Sequence, residues 1–164
     1  MLKDIQAATA GRQSEYVAMF WAQGGADSKT EAGGKGYGRN LAAFIARARK
    51  DLAAPDLPFI FSTSIADANR LAAIKPDPNW PGMAQYPFML DVLKGKAEVA
   101  RTVPNTAVVL TGGLTLKADR IHYDTAGTIE FGRRFFEAWE KNFHHPAGPA
   151  TQPGEGAKDA KAKP

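Results

Sequence analysis

Three short apolar runs rich in β-forming residues, separated by segments of helical period, constrain this chain more than any other feature. They are "EYVAMFWAQ" at 15–23, "LPFIFSTSI" at 57–65 and "TAVVLTG" at 106–112. None alternates cleanly between apolar and polar residues, as a strand with one wet face would. Near-continuous apolar strands are covered on both sides, the habit of parallel sheets inside α/β layers. The intervening segments fit that scheme. In "YGRNLAAFIARARKDLAAP", 37–55, Leu41, Phe44, Ile45, Ala48 and Leu52 repeat at three and four, while Arg39, Arg47, Arg49 and Lys50 point elsewhere. Pro55 stops that helix. Residues 86–102 carry a second helical pattern. Residues 125–143 form a closing helix with Ile129, Phe136, Trp139 and Phe143 expected on one side. A further short helix fits residues 1–13. Strands alternating with helices imply parallel pairing with right-handed crossovers, so the expected fold is α/β: a three-layer parallel sheet flanked by helices.

The connections are read from composition. "GGADSKTEAGGKGYG", 24–38, is expected to be a long Gly-rich loop, and loops of that length in compact domains are commonly functional. Residues 66–85 form a loop broken by Pro76, Pro78 and Pro81, with Trp80 between them. After Phe143 the sequence "HHPAGPATQPGEGAKDAKAKP" has no period and little to bury, which predicts a disordered tail over 144–164 and one domain over 1–143.

Several function classes are set aside. The chain has no cysteine, which removes disulfides, thiolate nucleophiles and cysteine-held zinc. The net charge of +4 includes Lys158, Lys161 and Lys163 of the tail, and no aromatic-plus-basic stripe accompanies it, so no nucleic-acid partner is expected. No run approaches the length of a membrane span, and "MLKDIQAATAGRQ" lacks the apolar centre of a signal peptide, so neither membrane insertion nor a compartment can be read from these residues. "AGGKGYGRN" is not a phosphate loop, because Gly34-Lys35 is followed by Gly36 rather than Ser or Thr. His144 and His145 head the expected tail and read as solvated. Nothing in the sequence calls for a metal or an organic cofactor.

Two segments carry chemistry. In "KADRIHYDTAG", 117–127, Asp119 precedes His122 by three residues, in a turn ahead of a helix. A histidine acting as general base needs its second ring nitrogen held by an acceptor, and an aspartate at this spacing can reach it. In "MFWAQGGAD", 19–27, a buried strand ends in Gln23-Gly24-Gly25, at the carboxyl edge where open α/β folds bind ligands. The Gln23 amide with backbone N–H groups of the glycines is placed to steady a developing oxyanion.

"FWAQGGAD", "YGRNLAAFIARARKDLAAPDLPFIFS" and "LKADRIHYDTAGTIEFGRRFFEAW", in this order and spacing, resemble the sialate O-acetylesterase-like domain of the SGNH (GDSL-like) hydrolase superfamily. That family shows W-x-Q-G-E-x-D, a helix leading to P-D-L-P-F, and D-x-x-H followed by G-R-R-F. The resemblance covers about residues 5–143 and implies deacetylation of an acetylated carbohydrate through an acyl-serine intermediate. By motif position it makes His122 the base, Asp119 its orienting partner, and Gln23 with Gly24 the oxyanion and substrate groups; Asp27 shapes the loop.

The resemblance also implies a serine nucleophile in a G-Q-S-N-type segment after the first strand. The four serines here, Ser14, Ser28, Ser62 and Ser64, do not follow that strand–turn–helix pattern. The expectation is therefore the C-terminal portion of an SGNH-type domain, lacking its N-terminal strand or strands, with weak or no activity as this chain. Gly25, Leu110, Leu93 and Lys96 also stand where the family has polar groups, and such losses loosen a site. The alternative expectation is an inactive relative that binds a glycan or a protein through the 24–38 loop and Trp80.

Overall fold

The computed structural model describes residues 2–12, 15–64 and 84–144. Three strands, β1 (Met19–Trp21), β2 (Phe59–Thr63) and β3 (Thr106–Leu110), form one sheet in the order β1-β2-β3. Both pairings are parallel, with Phe20 opposite Ile60 and Phe61 opposite Val108. Four helices, α1 (Leu2–Thr9), α2 (Glu31–Asp51), α3 (Met89–Thr102) and α4 (Thr125–Asn142), flank the sheet among the described residues. The α/β parallel architecture expected from the apolar runs is the one observed. Residues 65–83, with Trp80, and most of the expected tail lie outside the described residues.

The central strand shows why its sequence is apolar without alternation. All five residues of β2 are buried. Phe59 and Phe61 pack with Tyr37, Leu41 and Ile45 of α2 and Val92 and Val99 of α3. Ile60 points to the opposite side, where Val109 and Phe135 of α4 join it. A side chain of this kind contributes about 1.5–3 kcal/mol when fully buried, so each face of β2 anchors one helical layer. At the amino end of the sheet, Arg49 of α2 donates to the carbonyls of Leu57, Pro104 and Asn105 at 2.9–3.1 Å. The carboxyl end is left for the loops that carry the candidate site.

Two expectations are corrected. Residues 31–38 are not loop: α2 begins at Glu31, with the Thr30 hydroxyl accepting the Gly33 N–H at 3.1 Å as N-cap. Here glycine serves contact rather than flexibility. A Cβ on Gly38 would lie 2.8 Å from the Gly95 Cα, and one on Gly95 2.6 Å from the Gly38 nitrogen. The bare backbones let α2 and α3 touch. The second correction concerns α4. Ile129 and Phe136 are 69% and 51% exposed, whereas Phe135 is buried and Phe131, Ala138, Trp139 and Phe143 pack beside it. Trp139 and Phe143 face inward as expected, but Phe131 and Phe135 take the inward places given to Ile129 and Phe136, because Ile60 and Val109 lie beneath them.

Candidate active site

The loop after β3 folds back on itself to present Asp119 and His122. Arg134 of α4 secures its start, donating from Nη1 to the carbonyls of Leu110 and Gly112 at 2.7 and 2.8 Å. Leu116 and Tyr123 then form an antiparallel bridge, and inside it the Lys117 N–H donates to the His122 carbonyl at 2.8 Å. The Arg120 N–H donates to the Lys117 carbonyl at 2.9 Å, and Arg120 sits at φ 57, in the left-handed region that a non-glycine residue adopts at a cost. This tight return brings the two side chains together.

The Asp119 carboxylate is engaged at both oxygens. Oδ1 accepts the backbone N–H groups of Ile121 and His122, each at 2.9 Å. Oδ2 lies 2.7 Å from His122 Nδ1. An aspartate that accepts from amides two and three residues on makes a local turn of its own. The His122 ring first, then the two amides, hold the Asp119 carboxyl far below the usual carboxylate range. Nδ1 is occupied by this contact, and the imidazole side chain is 69% exposed. Downstream, Asp124 caps α4 by accepting the Gly127 N–H at 2.7 Å and the Thr115 hydroxyl at 2.5 Å. The pair is thus fastened to the start of a long helix.

Gln23 lies at the exit of β1, on the same carboxyl edge. Its Nε2 donates to Asp27 Oδ2 at 2.5 Å, and the Tyr37 hydroxyl reaches the Gln23 carbonyl oxygen at 3.0 Å and Oε1 at 3.3 Å. Gly24 adopts φ 133, open to glycine alone, and a Cβ there would meet Val92 at 2.9 Å and the Tyr37 ring at 3.3 Å. Burial pushes the Tyr37 hydroxyl up to about 12, well above neutral pH. Trp21, Gln23, Asp27, Tyr37, Asn40 and Phe44 line a concavity of about 290 Å³ that does not include His122.

The four residues singled out from sequence therefore fall into two groups: Asp119 with His122, and Gln23 with Gly24. No hydrogen bond joins the groups among the described residues. The Ser28 hydroxyl is buried and donates to the Gly25 carbonyl at 2.7 Å, and Ser62 is buried within β2. Among the described residues no three His, Cys, Asp or Glu side chains cluster as a metal site would require. Sequence reasoning missed Tyr37, although it precedes Leu41 by four and so continues the apolar face of α2. Lys96, counted from sequence as a lost polar group, is instead buried and donates from Nζ to the Ser62 carbonyl at 2.8 Å.

Comparison with known proteins gives this geometry a context. A family model described as carbohydrate esterase, sialic acid-specific acetylesterase matches residues 1–141. A solved structure of a protein from Arabidopsis thaliana superposes with a TM-score of 0.65 at 24% identity, covering 87% of this chain and 51% of that one. At that identity the likeness concerns the fold, and the chain spans about half the length of that structure. No curated protein matches the chain.

Proposed function

Because the chain belongs to the sialic acid-specific acetylesterase family of carbohydrate esterases, we propose that it carries the acid–base half of a carbohydrate O-acetyl ester hydrolysis. The observation that carries this reading is the 2.7 Å contact between Asp119 Oδ2 and His122 Nδ1. An ionised Asp119 at that distance supports the tautomer with the proton on Nδ1, in which the Nε2 lone pair serves as a base.

In the reaction, His122 Nε2 takes the proton of a serine hydroxyl as its oxygen attacks the acetyl carbonyl. The carbonyl π electrons move to oxygen, where the Gln23 amide and the Gly24 N–H offset the charge. Asp119 stabilises the imidazolium. When the tetrahedral intermediate collapses, the bond to the sugar oxygen breaks and Nε2 returns its proton to that oxygen, freeing the sugar alcohol. Water, deprotonated by the same nitrogen, then releases acetate from the acyl-serine. The attacking serine is none of the four in this chain. Two of them, Ser28 and Ser62, are buried, which supports this assignment.

Acetate release from an O-acetylated sialic acid tests the reading. With water in place of serine, base catalysis by His122 accelerates release by about 10²-fold over buffer. His122→Ala abolishes that increment, and a fluorophosphonate leaves all four serines unlabelled. Release no faster than buffer, or release that survives His122→Ala, contradicts the acid–base role. A labelled serine contradicts the assignment of the nucleophile.

A further inference from the structure

The Gln23 side chain is held at both of its polar ends by groups of opposite character. Oε1 faces the Tyr37 hydroxyl at 3.3 Å, and Nε2 faces the Asp27 carboxylate at 2.5 Å. A primary amide can otherwise rotate by half a turn with little change in shape. Here the rotated form would set a carbonyl oxygen against a carboxylate, two acceptors with no proton between them. The amide therefore has one favoured orientation. Of its two N–H hydrogens, one is used by Asp27 and the second has no partner among the described residues.

The two holding groups are themselves fixed. Tyr37 is 3% exposed, and its single hydroxyl proton is shared between the Gln23 backbone carbonyl at 3.0 Å and Oε1 at 3.3 Å, which ties main chain and side chain to one donor. The Lys96 ammonium lies 5.6 Å from the Tyr37 ring centroid and is anchored on the Ser62 carbonyl, the next strand across. Asp27 opens the short 3-10 turn Asp27–Lys29, whose Ser28 hydroxyl closes onto Gly25 at 2.7 Å. The amide is thus tied to α2, to α3 and to the turn that follows β1.

We propose that Tyr37 and Asp27 are positioning residues that fix the Gln23 amide in one orientation and leave a single N–H as a preset donor for a negatively charged oxygen at the carboxyl end of β1. That the oxygen is an acetyl oxyanion rests on the esterase reading above; the fixed amide does not. A preset donor is worth more than a mobile one, because it need not reorganise as charge develops.

Nuclear magnetic resonance of the ¹⁵N-labelled 164-residue chain tests this, with the Gln23 side-chain amide identified by its loss in Gln23→Leu. A separation between the two proton shifts wider than that of freely exposed glutamines is expected, with solvent exchange of the bonded proton slowed about tenfold or more against them. Tyr37→Phe and Asp27→Ala should each return the separation and the exchange rate to those of exposed glutamines. A Gln23 amide that matches exposed glutamines in the parent chain, or one indifferent to both substitutions, overturns the proposal. If Tyr37→Phe does not fold, Asp27→Ala decides between these outcomes by itself. A rigid amide in a chain that releases no acetate leaves this inference standing and removes the esterase reading. Where release is measurable, Tyr37→Phe lowers kcat with KM unchanged, and rescue of the rate without rescue of the amide signature counts against the proposal.

Discussion

Lys96 Nζ donates to the carbonyl oxygen of Ser62 across 2.8 Å, and the lysine making this bond is 7% exposed. Burial pushes its ammonium down to about 8, with the charge of Asp27 pulling the other way. A charged donor has been taken inside the fold at this position.

That burial has a consequence for stability against pH. With the folded pKa below the ordinary value of 10.5, the unfolded chain binds more protons between about 8 and 10.5. Stability therefore rises as pH climbs through that interval, by an amount on the order of 3 kcal/mol for the full shift. Urea unfolding at pH 7 and pH 10 should show the rise in the parent chain and a much smaller one in Lys96→Met. Equal slopes in both would show that the amine is solvated.

Glycines in the helices are predicted to differ in the sign of their effect. A Cβ at Gly38 or Gly95 would meet backbone within 2.9 Å, whereas one at Gly132 in α4 would meet nothing within 4 Å. Gly38→Ala and Gly95→Ala should destabilise by about 1–3 kcal/mol through forced separation of α2 and α3. Gly132→Ala should stabilise by about 0.5–1 kcal/mol through helix propensity. Thermal melts of the three variants decide it.

The burial of α4 gives a third test. Phe135→Ala removes a core ring that touches Phe20 at 5.1 Å and Phe131 at 4.9 Å between centroids, and should cost about 3–5 kcal/mol. Ile129→Gln and Phe136→Gln, on the exposed side, should stay within about 0.5 kcal/mol of the parent. The reverse ranking would turn the helix round.

Acid should loosen the Asp119 turn. Its carboxyl is depressed in the folded chain, so its contribution is present above the ordinary value of 3.8 and is lost as pH falls through the folded pKa. Hydrogen exchange at the Ile121 and His122 amides should accelerate in that acid window beyond the intrinsic trend, and Asp119→Ala should show the fast exchange already at neutral pH.

How much of this was legible in the sequence follows from how local each feature is. The central strand could be read because burial on both faces suppresses alternation, and β2 shows all five residues enclosed; the two edge strands are less covered than their apolar sequences suggest, with Phe20 and Leu110 about half exposed. Asp119 and His122 could be read because the turn that joins them is made by their own backbone. The start of α2 could not. Gly33, Gly34, Gly36 and Gly38 look like loop until Phe88 and Gly95, more than fifty residues away, are known to lie against Gly34 and Gly38 respectively. Gln23 was legible as a strand end, but its partner Tyr37 lies fourteen residues on, across the turn and the start of a helix. The inward side of α4 depended on Ile60 and Val109 of the sheet, which no helical period contains.

The claim on which the chemistry depends is that Asp119 fixes the imidazole with its proton on Nδ1. The ¹⁵N spectrum of the neutral His122 ring measures this most directly. A protonated Nδ1 with a downfield proton, and a bare Nε2, is the predicted result, with Asp119→Ala mixing the two tautomers. A ring carrying its proton on Nε2, or one whose tautomers are the same with and without Asp119, would contradict it.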